Sequence, residues 1–147
     1  MRIELLCGAR AYRYLSASWE QNRRIAQALS AKPTGSAEAV GRLQAELAAL
    51  RQRTAKLEET VFEGVAARYA QTGDVLLFEE DMSADSVRRL CDAVAKRCGG
   101  RCAVFSGADG AWKYAMGCHG GDLRELTKAM NAALSGRGGG KAEFVQG

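Results

Sequence analysis

The sequence predicts an α+β protein in which an antiparallel helical hairpin with coiled-coil patterning precedes a small α/β domain. Three observations support this fold class. Apolar residues recur at steps of three and four along two segments before residue 72. Pro33 and Gly35 interrupt them, as expected for a turn between two helices. After Gly73, short apolar runs of strand length alternate with helical patterns, which is typical of an α/β unit.

The first predicted helix runs from about Tyr12 to Leu29 and is amphipathic. Ser36, a favourable amino-terminal cap, precedes the second helix. That helix carries a stripe of positions spaced alternately by three and four residues, the pattern of a coiled coil. The stripe consists of Val40, Leu43, Leu47, Leu50, Thr54, Leu57 and Val61. The short connection favours antiparallel packing of the two helices, and the alternative is a parallel dimer through the second helix.

The rest of the chain predicts three strands and two helices, followed by a glycine-rich end. Asp109 and Gly110 form a favourable two-residue hairpin turn between the second and third strands. Ser83 is suited to cap the first of the two helices, and Gly99 to end it. The predicted strands are Asp74–Glu79, Cys102–Ser106 and Trp112–Met116, and the second helix spans Asp122–Leu134.

Composition indicates a soluble protein of the cytoplasm. Hydrophobic residues make up 47% of the chain and charged residues 26%, and no apolar run approaches the roughly 20 residues that a membrane helix needs. The five cysteines form an odd, unevenly spaced set, which favours reduced thiols. The net charge of +4 favours an anionic partner.

The segment from Ser135 to Gly147 holds five of the 17 glycines and predicts a phosphate site. Glycines let backbone amides approach an anion closely, and Arg137 and Lys141 supply positive charge beside them. The alternative is a flexible tail. Lys113 is a further candidate for a cationic contact, because strand alternation separates it from Trp112 and Tyr114.

Other chemistry-bearing residues predict no catalytic centre. Cys91, Cys98 and Cys102 have spacings unlike those of zinc sites and are expected in the core. Cys118 and the single histidine, His119, are expected in a turn. Aromatic residues of the predicted strands are typical of a core, with a stacking platform for bases as the alternative; they are Phe105, Trp112 and Tyr114.

The order of these parts resembles the carboxy-terminal half of the long alanyl-tRNA editing proteins and the matching end of alanyl-tRNA synthetase. The resemblance is carried by an opening segment that reads as strand-like, Arg2–Ala11, and by Gly136-Arg137-Gly138-Gly139-Gly140 with the following Phe144–Gly147. In that family, an Arg-Ile-Glu and Cys-Gly segment closes the editing domain, and the glycine motif belongs to the DHHA1 domain. The resemblance divides the chain into an editing-domain remnant (residues 1–11), a helical hairpin (12–72) and a DHHA1-like domain (73–147).

The resemblance implies a tRNA-binding accessory region whose parent protein is an aminoacyl-tRNA hydrolase or ligase. The expected partner is tRNA, in particular alanine-accepting tRNA. The family's catalytic zinc lies in the upstream editing domain, so no catalytic residue, metal or cofactor is expected in this chain. The predicted nucleic-acid-binding residues are Gly136, Arg137, Gly138, Gly139, Gly140, Lys141 and Lys113.

Two alternatives remain at this stage. The coiled coil or the α/β unit can serve self-association, with a homodimer as the expected product. The glycine motif is also shared with a class of phosphoesterases, but these resemble one another in an Asp-His-His metal motif that a chain with one histidine lacks.

Overall fold

The computed structural model describes residues 6–108 and 110–147 and confirms the α+β class. Its elements are α1 (Gly8–Ala28), a 3-10 turn (Pro33–Gly35), α2 (Ser36–Arg68), β1 (Gly73–Glu79), α3 (Ala84–Cys98), β2 (Gly99–Ala108), β3 (Ala111–Cys118), α4 (Arg124–Leu134), β4 (Gly139–Lys141) and β5 (Phe144–Gln146). Between Gln52 and Arg53, within α2, the chain divides into two compact units. No helix in the described ranges is long and apolar enough to cross a membrane.

The turn between α1 and α2 lies where Pro33 and Gly35 predict it. The Asn22 side-chain amide donates to the Pro33 carbonyl at 2.8 Å, and the Ser36 hydroxyl donates to Asn22 Oδ1 at 2.6 Å. Ser36 is itself the first residue of α2, so its hydroxyl ties the two helices together instead of capping the second. The small residues Ala26 and Ala39 are buried in this unit, which allows close approach near the turn.

Beyond the turn, the predicted packing of α1 along the α2 stripe is not observed. Tyr12, Leu15 and Trp19 of α1 are exposed. The apolar side chains of the α2 stripe are exposed as well, at 37–60%. The buried apolar residues described in the first unit are Ala26 and Ala39, close to the turn, so the stripe from Val40 to Leu50 stays open to solvent.

The opening segment differs from the strand-like form expected for residues 2–11. Residues 2–5 lie outside the described residues, and Gly8–Ala11 form the first turn of α1. Ala9, Arg10 and Ala11 are favourable helix formers, which accounts for the helix beginning this early. The assignment of residues 1–11 to an editing domain stays a prediction.

The second unit is built on a five-stranded mixed sheet with the order β1-β2-β3-β5-β4. β1 and β2 run parallel with α3 as their crossover, and the other pairs are antiparallel. Ser83 caps α3 by accepting from the Ser86 amide, and Gly99 ends it in the left-handed region at φ 76°. The predicted strands, cap, stop and hairpin are confirmed; Asp109 of the hairpin turn lies outside the described residues.

The two faces of this sheet differ in how they are covered. One face packs under α3 and the last turns of α2, with Phe62, Leu90, Val94 and Val104 in its core. The other face holds a smaller cluster, formed by Tyr114, Met116, Leu123 and Val145. On β1, Leu76 and Phe78 of this second face are exposed.

The glycine-rich end is not a flexible tail, because six of its 13 residues form two strands that complete the sheet. Gly139–Lys141 form β4, which pairs with β5 at Gly139–Gln146, Gly140–Val145 and Lys141–Phe144. β5 in turn pairs with β3. The chain end is thereby held as an edge hairpin.

Candidate nucleic-acid interface

An aromatic face formed by Phe78, Phe105, Trp112 and Tyr114 crosses the first three strands. Register places Phe78 beside Phe105 and Phe105 beside Tyr114. The Phe78 and Phe105 rings stack at 5.6 Å between centroids, and the Phe105 and Tyr114 rings at 5.8 Å. Trp112 meets Phe78 edge-on at 6.2 Å. Each pair lies at the separation that aromatic rings prefer, so the rings form one continuous surface.

The outer part of this aromatic face is open to solvent. Phe78 is 65% exposed and Trp112 49%, whereas Tyr114 is only 7% exposed. A cavity of about 470 Å³ lies over the rings. Its other walls come from α4 and the segment that follows it: Met130, Asn131, Leu134, Ser135, Gly136 and Arg137. The cavity is thus lined by flat apolar surfaces and by one cationic residue, Arg137.

Tyr114 anchors the glycine segment beside this cavity. Its hydroxyl donates to Asn131 Oδ1 at 2.9 Å, and the Asn131 side-chain amide donates to the Gly138 carbonyl at 3.1 Å. The Tyr114 backbone exchanges two further hydrogen bonds with Gly147, at 2.8 and 3.0 Å. Burial raises the pKa of the Tyr114 hydroxyl, which keeps it protonated as a donor at neutral pH. Arg137 is therefore attached to a fixed segment.

Two glycines of the motif are required by close packing. A Cβ at Gly138 would overlap the Tyr114 hydroxyl, and a Cβ at Gly140 would overlap the Phe144 carbonyl oxygen. At Gly139 a Cβ would meet nothing within 4 Å. The motif glycines have no positive φ. Gly138 lets the segment before β4 approach the Tyr114 ring, and Gly140 lets β4 approach the backbone of β5.

A second, shallower cavity of about 350 Å³ borders the same glycines. Gly138, Gly139 and Gly140 form one side and α4 the other, where Arg124 and Lys128 contribute positive charge and Glu125 a negative charge. Arg124 is bound to Asp122 at 2.6 Å, and this guanidinium lowers the pKa of Asp122 to about 2. Lys128 is exposed. The glycine motif therefore lies between two cavities, one with Arg137 and one with Lys128.

The predicted cations are only partly brought together. Arg137 lines the aromatic cavity, but Lys141 lies on β4 and lines neither cavity. Lys113 lies on the other face of the sheet, where its ammonium donates to the Met82 carbonyl at 3.3 Å. Strand alternation, which separates Lys113 from Trp112 and Tyr114, accounts for this.

Sequence reasoning missed Phe78 and Lys128. Phe78 belongs to a continuous apolar run that reads as a strand buried on both faces, yet β1 alternates between buried Val75 and Leu77 and exposed Leu76 and Phe78. Its position beside Phe105 follows from the register of β1 with β2, which the sequence does not show. Nothing in the sequence distinguishes Lys128 from other cations on helix surfaces, and only the packing of α4 beside β4 brings it close to the glycine motif.

The three cysteines expected in the core lie there, but Cys118, expected in a turn with His119, is the last residue of β3 and pairs with Arg101 of β2. Cys91, Cys98 and Cys102 are buried in the core under α3. A hydrogen bond with Cys102, together with burial, raises the pKa of Cys91, so this thiol is protonated and unreactive at neutral pH. Within residues 6–108 and 110–147, no three His, Cys, Asp or Glu side chains form a group able to hold a metal ion.

The fold and the cavities define a small α/β domain that presents stacked rings beside Arg137, a cationic residue on a hydrogen-bonded segment. No protein-family model matches the chain, and neither does any curated protein. Among solved structures, the chain is similar to the C-Ala domain of alanyl-tRNA synthetase from Aquifex aeolicus, with 19% identity and a TM-score of 0.46. The alignment covers 50% of this chain and 71% of that chain. At this distance, function has to be inferred from the site itself.

Proposed function

We propose that this chain is a tRNA-binding accessory region, and that its aromatic face receives unpaired bases of the RNA. The observation that carries the proposal is the exposed pair Phe78 and Trp112, next to Arg137 in one cavity. Single-stranded and loop RNA is recognised in this manner, by bases stacked on aromatic side chains and phosphates held by cations.

Exposure of the rings favours a ligand over a purely structural role. A phenylalanine side chain gains about 1.5–3 kcal/mol from full burial, and Phe78 forgoes much of this in the free protein. The rings Phe105 and Tyr114 behind it are fixed by stacking, so the platform needs little ordering when a base arrives. A base stacked on such a surface contributes roughly 1–3 kcal/mol to binding.

Arg137 and Lys128 are the groups that we assign to the phosphates. Arg137 lines the aromatic cavity. A base stacked on the rings would bring the phosphates of its own nucleotide chain close to this residue. Lys128 borders the cavity along Gly138, Gly139 and Gly140, and it is a better donor than Arg124, which is already paired with Asp122. Lys141 and Lys113 lie outside both cavities, so we expect weaker contributions from them.

The identity of the RNA rests on the sequence resemblance. An opening Arg-Ile-Glu and Cys-Gly segment, a helical region and the glycine motif occur in the order found in alanyl-tRNA editing proteins. We therefore propose alanine-accepting tRNA as the partner and deacylation of mischarged tRNA as the reaction of the parent protein. Catalysis would belong to its zinc-bearing editing domain, and this chain would contribute binding in the cytoplasm.

The test is fluorescence anisotropy with labelled alanine-accepting tRNA and a non-cognate tRNA over a series of salt concentrations. Phe78→Ala should weaken binding by about 1–3 kcal/mol, roughly five- to 150-fold. The matched control is Leu76→Ala, an exposed apolar residue on the same face of β1 that does not line the aromatic cavity. Equal effects of the two substitutions, or no binding of the unmodified chain at low salt, would refute the proposal.

A further inference from the structure

We infer that Phe78 and Trp112 hold two neighbouring unpaired nucleotides whose bases are turned away from one another. The inference rests on the proposed function and specifies the form of RNA that the aromatic cavity binds. It follows from the orientations of the four rings, because a base stacks only on an aromatic face that is open to it.

Two of the four rings offer no face to a stacking base. Phe105 lies between Phe78 and Tyr114, with interplanar angles of 23° and 30°, so a neighbouring ring covers each of its faces. Tyr114 is buried, and the backbone at Gly138 and Gly147 packs against its ring. A base that enters the cavity therefore has to stack on Phe78 or on Trp112.

The exposed surfaces of Phe78 and Trp112 point in different directions. Phe78 lies on the edge strand β1 and contacts Phe105 through one face, so the exposed part of its ring is mainly the other face. Trp112 meets Phe78 at an interplanar angle of 86°. Gly107 lies opposite Trp112 in the register, and its lack of a side chain leaves room for the indole to reach Phe78. One planar base can stack on either ring but not on both.

Two bases stacked on these rings would lie nearly perpendicular to each other. Bases in a regular single strand or in a helix are parallel, so the RNA chain has to turn between the two nucleotides. One phosphate joins neighbouring nucleosides, and Arg137 lines the same cavity as both rings, so we assign this residue to that phosphate. The ligand is therefore a turn in an unpaired segment, where bases are splayed apart, rather than a stacked strand or the end of a helix.

Short RNA oligonucleotides in which abasic sites leave either one base or two neighbouring bases test the inference by anisotropy at low salt. With two bases, Phe78→Ala and Trp112→Ala should each weaken binding roughly five- to 150-fold. Their effects should multiply in the double variant, because each ring holds its own base. With one base, the double variant should lose more than the product of the single effects, because either ring can hold that base. Leu76→Ala, exposed on the same face of β1 but outside the cavity, is the control and should leave both affinities unchanged.

Circular dichroism reports the turn itself. Two adjacent 2-aminopurine bases give an exciton-coupled signal only while they stack on one another. We expect this signal to disappear on binding to the unmodified chain and to persist in the complex with Trp112→Ala, where the second base can stack on the first. A signal that survives in the unmodified complex, or binding that responds to only one of the two ring substitutions, would overturn the inference. Absence of binding by every oligonucleotide at low salt would instead refute the proposed function.

Discussion

Gly140 illustrates how a single residue of the glycine motif acts through space rather than through conformational freedom. A Cβ at this position would overlap the Phe144 carbonyl oxygen and lie 2.9 Å from the Val145 Cα. We expect Gly140→Ala to lower the free energy of unfolding by about 1–3 kcal/mol, the usual cost of overpacking. Gly139→Ala, where the new methyl group meets nothing within 4 Å, should change it by less than about 0.5 kcal/mol. Urea unfolding measures both, and a larger loss for Gly139→Ala would contradict this assignment of roles.

Tyr114 gives the unfolding free energy a dependence on alkaline pH. Burial raises its pKa above the ordinary value of 10. As pH rises through that value, the unfolded chain releases the proton first, so stability falls until the folded-state pKa is passed. Tyr114→Phe removes this component, together with the hydroxyl hydrogen bond to Asn131.

The expected result is that Tyr114→Phe is less stable than the unmodified chain at neutral pH, and that the gap narrows above pH 10. Urea unfolding of both proteins from neutral to alkaline pH measures the difference between their unfolding free energies. The titration of the other tyrosines and of the lysines affects both proteins equally and cancels in this difference. A gap that stays constant across this range would show that the hydroxyl is not shielded from water in the folded state.

At the scale of elements, Arg89 connects the end of α2 to α3. Its guanidinium binds Glu58 at 2.8 Å and the Ala55 carbonyl at 2.6 Å, and it lies 5.7 Å from the centre of the Phe62 ring. We expect Arg89→Ala to cost about 1–3 kcal/mol of unfolding free energy, because a partly buried carboxylate loses its partner and the ring loses its cation.

Arg88 provides the matched control on the same helix. Arg88 pairs with Asp85, three residues earlier on the exposed surface of α3. An exposed pair of this kind contributes little to the free energy of unfolding. Arg88→Ala should therefore change the unfolding free energy by less than about 0.5 kcal/mol. If both substitutions cost the same, α2 would not be held to α3 through Arg89.

The elements also show how far the sequence predicts this fold. Local patterns suffice for α3, β1, β2 and β3, because a serine cap, a terminating glycine and short apolar runs act within a few residues. They do not predict β4 and β5, since three-residue strands rich in glycine have no periodicity to detect. Those strands depend on contacts with β3 that are distant in sequence.

The sequence predicts the candidate site less completely than the fold, because the site also depends on contacts between residues that are distant in sequence. The sequence predicts a core role for Phe105, Trp112 and Tyr114, with a stacking platform as the alternative, and the structure divides the roles, since Tyr114 is buried and Trp112 is exposed. Phe78 joins them only through the parallel register of β1 with β2. Arg137 was selected for its charge beside glycine, and its position in the aromatic cavity follows from the Tyr114–Asn131–Gly138 hydrogen bonds.

At the scale of the whole molecule, binding should depend on salt through a small, countable set of cations. Removal of one cation that contacts a phosphate reduces the slope of log affinity against log salt concentration by about 0.7–0.9. We expect Arg137→Gln and Lys128→Gln each to reduce the slope by that amount, and the pair of changes to reduce it by about twice as much. Lys113→Gln, on the other face of the sheet, is the control and should leave the slope nearly unchanged. A slope that responds to Lys113 instead of Arg137 would place the RNA on the face covered by α3.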